Sequence, residues 1–217
     1  ILQSQMNMFD KYPGMREDTI RSHQKLVDRG HVIELSKIEE VDLALMNKTP
    51  GEGYIIPWRT QYNESSMSTP LRMVFDASST TSSGHSLNSI LAKGQNKLTN
   101  LLHLLIRFRA KKCAITGDVS MAYNGLKLRA EDYLFQQYLW KQELNPENPI
   151  IKMVVKTLIY GVRSAGSQTM AGISKLADYV IANHPEHTLG AIALKNNTYV
   201  DDITDSQDTI EEFAIVE

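Results

Sequence analysis

The sequence predicts an α+β fold, and three observations carry that reading. Residues 15–29 present Ile20, Leu26 and Val27 on an otherwise polar stretch that ends at Gly30, the pattern of an amphipathic helix with a glycine past its C-terminus. Residues 71–76 alternate, with Leu71, Met73 and Phe75 on one face and Arg72, Val74 and Asp76 on the other, which is the period of a strand. Residues 199–202, Tyr-Val-Asp-Asp, read as a tight turn between short strands.

The other elements follow in order. Residues 50–53 form a loop, after which residues 54–58 read as a short strand in which Pro57 indicates an edge or a bulge. The polar stretch 63–69 separates this strand from 71–76, and the two form a hairpin. Residues 78–86, rich in Ser and Thr, make a flexible loop. Leu98, Leu101, Leu102, Leu105, Ile106 and Phe108 fall at helical spacing, with Arg107, Arg109, Lys111 and Lys112 gathered at the far end, where cations suit the helix dipole. Residues 113–116 are apolar and β-prone and lead into Gly117-Asp118. Residues 133–140 and 151–159 are strands joined by a loop holding Pro146 and Pro149, and residues 169–182 are a second long helix. Residues 191–202 read as a hairpin region turning near Lys195-Asn196-Asn197, with Ser206 capping a last helix.

A chain of 217 residues with 42% hydrophobic and 22% charged residues fits one globular domain or two small lobes, and excludes a disordered tail or a collagen-like chain. There is neither an apolar run of the roughly 18 residues that a membrane span needs nor a signal-peptide start. A soluble, intracellular protein that makes no use of a membrane is therefore expected. The single cysteine, Cys113, excludes an internal disulfide and a Cys-based zinc site. The start on Ile1 suggests a piece of something longer. A net charge of −2 argues against a surface coated in basic residues for nucleic acid. Its distribution is uneven: residues 51–116 carry 8 basic and 3 acidic side chains, whereas residues 117–217 carry 8 and 14. That asymmetry suits a molecule that meets an anion with one part and holds cations with another.

The sharpest chemical signal is Asp201-Asp202. Adjacent carboxylates at a turn repel each other, and a divalent cation reverses the sign of that interaction. Asp118 closes an apolar strand about 80 residues earlier, and if that strand lies beside the 199–202 turn, three carboxylates converge into a hard-oxygen site of the kind Mg²⁺ prefers. Each signal alone has a plainer explanation, since Asp-Asp suits turn backbones and Asp118 suits a helix N-cap. Their combination is what points to a metal.

Taken in order, these motifs resemble the reverse transcriptase domain of long-terminal-repeat retrotransposon polyproteins, most closely the BEL/Pao group. The carrying residues are Gly117-Asp118-Val119-Ser120-Met121-Ala122-Tyr123, Tyr199-Val200-Asp201-Asp202, and the fingers motif from Leu71 to Ser78. To these are added Asp28-Arg29-Gly30-His31, Gly84-His85-Ser86-Leu87-Asn88, and Leu126-Lys127-Leu128 leading to Phe135 and Leu139-Trp140. The resemblance runs from about residue 9 to residue 212.

The resemblance implies a right-hand fold. Residues 1–110 would be mainly fingers and residues 111–217 mainly palm, built on a small antiparallel sheet, with thumb, connection and RNase H absent. It implies RNA-directed DNA polymerase activity with two Mg²⁺ ions, or Mn²⁺ in their place, and as partners an RNA or DNA template with its primer and dNTPs. The setting it implies is a cytoplasmic retrotransposon particle. Asp118, Asp201 and Asp202 would be the catalytic metal ligands. Tyr123 would lie under the incoming sugar and exclude a 2′-hydroxyl by bulk. Arg72 would pair with the triphosphate, and Gly161 would let backbone approach the nucleotide. Tyr199, Arg107 and Arg109 would contact nucleic acid, although a helix end whose cations snorkel to water explains the arginines equally well. The chain departs from the commoner pattern at Tyr160, where many relatives have Gln, and at Ala165-Gly166, where they have Ser-Pro. The rival expectation is a relic that keeps the palm but does not polymerise, acting as a nucleic-acid-binding or structural module.

Overall fold

The computed structural model describes residues 2–51, 53–62 and 71–212; the polar stretch expected at 63–69 lies outside them. In chain order the elements are α1 (Leu2–Lys11), α2 (Pro13–Asp28), β1 (Val32–Glu34), α3 (Glu40–Met46), β2 (Trp58–Tyr62), β3 (Leu71–Phe75), α4 (Leu87–Ile90), α5 (Leu101–Phe108) and β4 (Cys113–Asp118). They continue with β5 (Gln137–Lys141), β6 (Ile150–Val155), α6 (Ala165–Asn183), α7 (Thr188–Asn196), β7 (Thr198–Tyr199) and β8 (Asp202–Gln207). The chain divides into two compact units that interleave in sequence, residues 1–92 with 127–163 and residues 93–126 with 164–217.

The first unit holds a sheet in the order β1-β6-β5 and the β2-β3 hairpin, all antiparallel. Its core gathers Met6, Phe9, Trp58, Phe75, Tyr138 and Trp140. Met6 and Phe9 lie three residues apart and so on one face of α1, which brings both inside. Burying a side chain such as Phe9 contributes about 1.5–3 kcal/mol. The helix read at 15–29 is α2, and Gly30 beyond it takes φ +70°, a conformation that costs a side-chain-bearing residue energy and glycine little. Its Ile20, Leu26 and Val27 pack against the core. Beside α2, the His23 ring stacks on Trp140 at 3.7 Å and shares a 2.7 Å hydrogen bond with the Tyr138 hydroxyl. A smaller cluster of Met46, Ala130, Tyr133, Leu134 and Val154 lies beneath α3.

The expected hairpin is present, but its first strand begins at Trp58 rather than ending there. Pro57 has no N–H to give to a ladder, and Ile55 makes only a single parallel bridge to Gln137. Residues 133–135, expected as strand, belong to a 3₁₀ turn over Ala130–Phe135 that buries Tyr133 and Leu134.

The second unit is built on the antiparallel sheet β4-β8-β7, with α6 and α7 packed together. The region read as a hairpin at 191–202 is helical to Asn196, because Ala191 and Ala193 favour helix and are buried. The reversal falls instead at Val200–Asp201. Ser206 caps no helix: it lies in β8 and its hydroxyl donates to the Arg107 carbonyl at 2.7 Å. In α5 the buried residue is Leu104, three residues from Arg107, while Leu101, Leu102, Leu105 and Ile106 are exposed. The helix is held by its Arg107 side, so the apolar residues read from the spacing face outward. Among the described residues no helix is long and apolar enough to cross a membrane.

Candidate active site

The site in the second unit is set by strand register. β4 runs from Cys113, opposite Gln207, to Asp118, opposite Asp202, so the two carboxylates finish facing ladder positions. Like charges placed opposite one another destabilise a sheet, and at these two exposed positions the cost is at most about 1 kcal/mol. β7 pairs with β8 through Thr198 with Ile203 and Tyr199 with Asp202, leaving Val200 and Asp201 as a two-residue turn. Val200 takes φ +63°, the sign that the first central residue of a II′ turn requires and that glycine normally supplies. The Val119 amide donates to the Asp201 carbonyl at 2.7 Å, tying the turn to the residue after Asp118. Asp118, Asp201 and Asp202 are thus brought to one end of one sheet.

Tyr123 joins them. Burial holds its phenol pKa above the ordinary value, and the negative charge of Asp201 adds to the rise, so the two side chains are electrostatic neighbours. A Cβ added to Gly166 would stand 3.9 Å from the Tyr123 hydroxyl, which lays that hydroxyl against the start of α6. Met121, between Asp118 and Tyr123, also has positive φ, +54°. Non-glycine residues in this conformation cost about 1–3 kcal/mol each and persist where the surroundings over-determine them.

The donor set is all hard oxygen and suits Mg²⁺ or Mn²⁺. Even so, among the described residues no three His, Cys, Asp or Glu side chains stand as a group that could hold a metal ion. Backbone register brings the three carboxylates to one place, and their side chains do not close into a cage. His184 and His187 both lie near Glu186 at a helix boundary, 3.6 and 3.9 Å away, as a polar terminus would.

Of the residues assigned to nucleic acid, Tyr199 is half-buried in β7, and Arg109 is exposed at the end of α5. Arg107 is engaged within the chain. Its Nε donates to Asn197 Oδ1 at 2.8 Å, and a second guanidinium nitrogen donates to the Asn196 carbonyl.

Arg72 and Gly161 lie in the first unit. Arg72 is exposed on β3 opposite Gln61. Asp76 caps the next turn, accepting the Ser78 amide at 3.1 Å. Gly161 takes φ +93°, and an added Cβ would stand 2.4 Å from the Phe75 carbonyl oxygen. The close approach seen here is therefore to the chain's own β3. Asn88, which ends the stretch Gly84–Asn88 that carried part of the resemblance but was given no role there, holds this junction: it donates to the Gly161 carbonyl and accepts the Arg163 amide at 2.8 Å. A group that the sequence reading missed is Asn197 with Asp205. The signal lay in strand alternation, which puts Asp205 on the same face of β8 as Ile203 and so places a carboxylate where an apolar residue is expected.

No family model and no curated protein matches the sequence. Among solved structures, this fold is similar to that of a foamy viral protease-reverse transcriptase in complex with double-stranded DNA, with TM-score 0.55 and 19% identity over 90% of this chain. The fold is of the reverse transcriptase kind. The chain spans 27% of the length of that protein.

Proposed function

We propose that this chain is the fingers and palm part of an RNA-directed DNA polymerase from a BEL/Pao-type retrotransposon, acting with the thumb, connection and RNase H parts of a parent polyprotein. One observation carries the reading: Asp118 ends β4 opposite Asp202, and the turn carrying Asp201 is bonded to the amide next to Asp118. Two unrelated stretches of sequence meet there, and an in-line displacement at phosphorus needs such carboxylates. The partners are a template, its primer and dNTPs, and the reaction adds a nucleotide to a primer 3′-hydroxyl with release of pyrophosphate. Divalent ions, when bound by Asp118, Asp201 and Asp202, supply the charge that lowers the barrier at the attacking and leaving oxygens. The chain's own residues position the reactants. Tyr123, held between Asp201 and the start of α6, offers a flat wall against which a deoxyribose fits and a 2′-hydroxyl does not. Arg72 provides a guanidinium for triphosphate oxygens, and Gly161 keeps the backbone beside β3 free of a side chain. The same reading places the work in a cytoplasmic particle.

The test is primer extension on a poly-rA template with oligo-dT, dTTP and Mg²⁺, comparing this chain with an Asp201→Asn, Asp202→Asn double variant. Extension that disappears in the variant supports the polymerase. Extension that persists refutes the assignment of these carboxylates. A second reading, a module that no longer polymerises, draws on one observation, the lack of a closed metal cage among the described residues. Primer–template binding without any extension, in Mg²⁺ or Mn²⁺, would favour it.

A further inference from the structure

The turn that carries Asp201 has a hydrogen-bonded support, built on the buried Asp205, that the chemistry does not use. Asn197 closes α7, its amide bonded to the Ala193 carbonyl at 2.8 Å, and its side chain works in two directions. Its Oδ1 accepts from Arg107 Nε at 2.8 Å, and its Nδ2 donates to Asp205 Oδ1 at 2.7 Å. Asp205 is 5% exposed, and its other oxygen accepts from Gln207 Nε2 at 2.8 Å, while Lys111 donates to Gln207 Oε1 at 2.8 Å. The Asn197 carbonyl accepts the Thr204 amide at 2.9 Å, and the Arg107 carbonyl accepts from Ser206. The end of α5, the end of α7 and β8 are therefore fastened together at the base of a hairpin whose tip is Val200–Asp201. A buried carboxylate is costly unless it is paired, and Asp205 keeps its Oδ1 bond from Asn197 only while Asn197 is held in this orientation.

The tip needs such a base. Val200 is β-branched and sits at φ +63°, where a II′ turn would take glycine. A two-residue hairpin carrying that strain relaxes unless the strands below it are pinned. We propose that Arg107, Asn197 and Asp205 form a positioning clip that holds the left-handed Val200 turn, and through the Val119–Asp201 bond sets Asp201 against Asp118. The three are positioning residues that touch neither substrate nor metal. Arg107 then serves the site from within the chain instead of contacting template phosphates. The catalytic meaning of the clip rests on the polymerase reading; the mechanical claim does not.

The experiment reads the turn directly. Amide hydrogen exchange at Val119 in the full chain, without metal or nucleotide, reports whether the bond to the Asp201 carbonyl persists. Asn197→Ala removes both side-chain bonds, and protection at Val119 is expected to fall about tenfold, the exchange equivalent of one or two lost hydrogen bonds. Amides at the Cys113–Gln207 end of the same sheet keep theirs. Arg107→Lys, a milder change that keeps the charge but not the planar fork, should give a smaller loss at the same amide. Adding Val200→Gly to Asn197→Ala removes the strain and should restore protection. Unchanged protection in both single variants overturns the clip. A loss spread evenly over the sheet reduces it to ordinary stabilisation and overturns the positioning claim, as does a local loss that Val200→Gly fails to restore. Where the chain extends primers, Asn197→Ala should lower kcat with little change in KM for dNTP, because the misplaced carboxylate matters in the transition state. A chain that binds primer–template but extends no primer leaves the exchange result standing and favours the module that no longer polymerises.

Discussion

His23 gives the first unit a defined acid sensitivity. Its ring is buried at 6% exposure, flat against Trp140 and bonded to the Tyr138 hydroxyl, and burial lowers its pKa from 6.5 to about 4. In the unfolded chain the same imidazole takes up a proton near pH 6.5. Between the two values the unfolded state binds more protons, so stability rises with pH through this window and falls as pH drops from 6.5 toward 4. At about 1.4 kcal/mol per pH unit over roughly 2.5 units, the loss comes to about 3 kcal/mol, a large part of the stability of a domain this size. It is absent above pH 6.5 and has levelled off below pH 4. The assay is urea denaturation from pH 7.5 to 4.5 followed by tryptophan fluorescence. The sequence has only two tryptophans, Trp58 and Trp140, both buried in this core, so the signal belongs to the first unit. His31 also has a lowered pKa, from burial and then from Arg29, and Glu34 and Glu186 have lowered pKa values too. The decisive quantity is therefore the difference between wild type and His23→Gln, whose amide can still meet the Tyr138 hydroxyl. The wild type should lose about 2.5 kcal/mol more than the variant between pH 7 and 4.5. Equal pH slopes in the two proteins would refute the argument.

Other outcomes follow from packing. Gly161→Ala places a methyl 2.4 Å from the Phe75 carbonyl at φ +93°, and should cost about 1–3 kcal/mol or more in urea denaturation. Asn88→Ala removes the bonds that hold the Gly161 and Arg163 backbone, and should destabilise the first unit by about 1–3 kcal/mol by the same measurement. Phe9→Ala empties a site at 0% exposure and should cost about 3–5 kcal/mol, with an earlier loss of tryptophan signal on heating.

Sequence periodicity showed the elements whose signals are local. The α2 helix announced itself by Ile20, Leu26 and Val27 closed by Gly30, and β3 by the alternation of Leu71, Met73 and Phe75. Where a run is short and apolar on every side, periodicity does not choose between helix and strand. Residues 188–196 are such a run, and buried alanines decided for helix. The short α4 helix could have been read from its capping box, in which Ser86 and Ser89 bond each other's backbone amides. The α1 helix, three-residue β1 and the 3₁₀ turn at Ala130–Phe135 had no comparable mark, because tertiary burial of Phe9, Val32 and Tyr133 defines them.

The candidate site divides along the same line. Asp118, Asp201 and Asp202 stand out only in combination, as carboxylates at two strand ends about 80 residues apart, because each alone suits an ordinary turn or cap. The structural hubs of each unit are instead unremarkable residue types that acquire meaning only from distant partners. His23 meets Tyr138 115 residues away, Arg107 meets Asn197 across 90, and Asn88 meets Gly161 across 73. An asparagine in a sequence is more often a turn or a cap than a hub. What distinguishes Asn197 is that it joins a buried carboxylate to a guanidinium directly below a valine in a glycine's conformation. Such strain has no cause in the turn itself, where glycine would sit without cost. The strain is localised where the turn holds Asp201 and leads into Asp202, which is why the clip is tested at that turn.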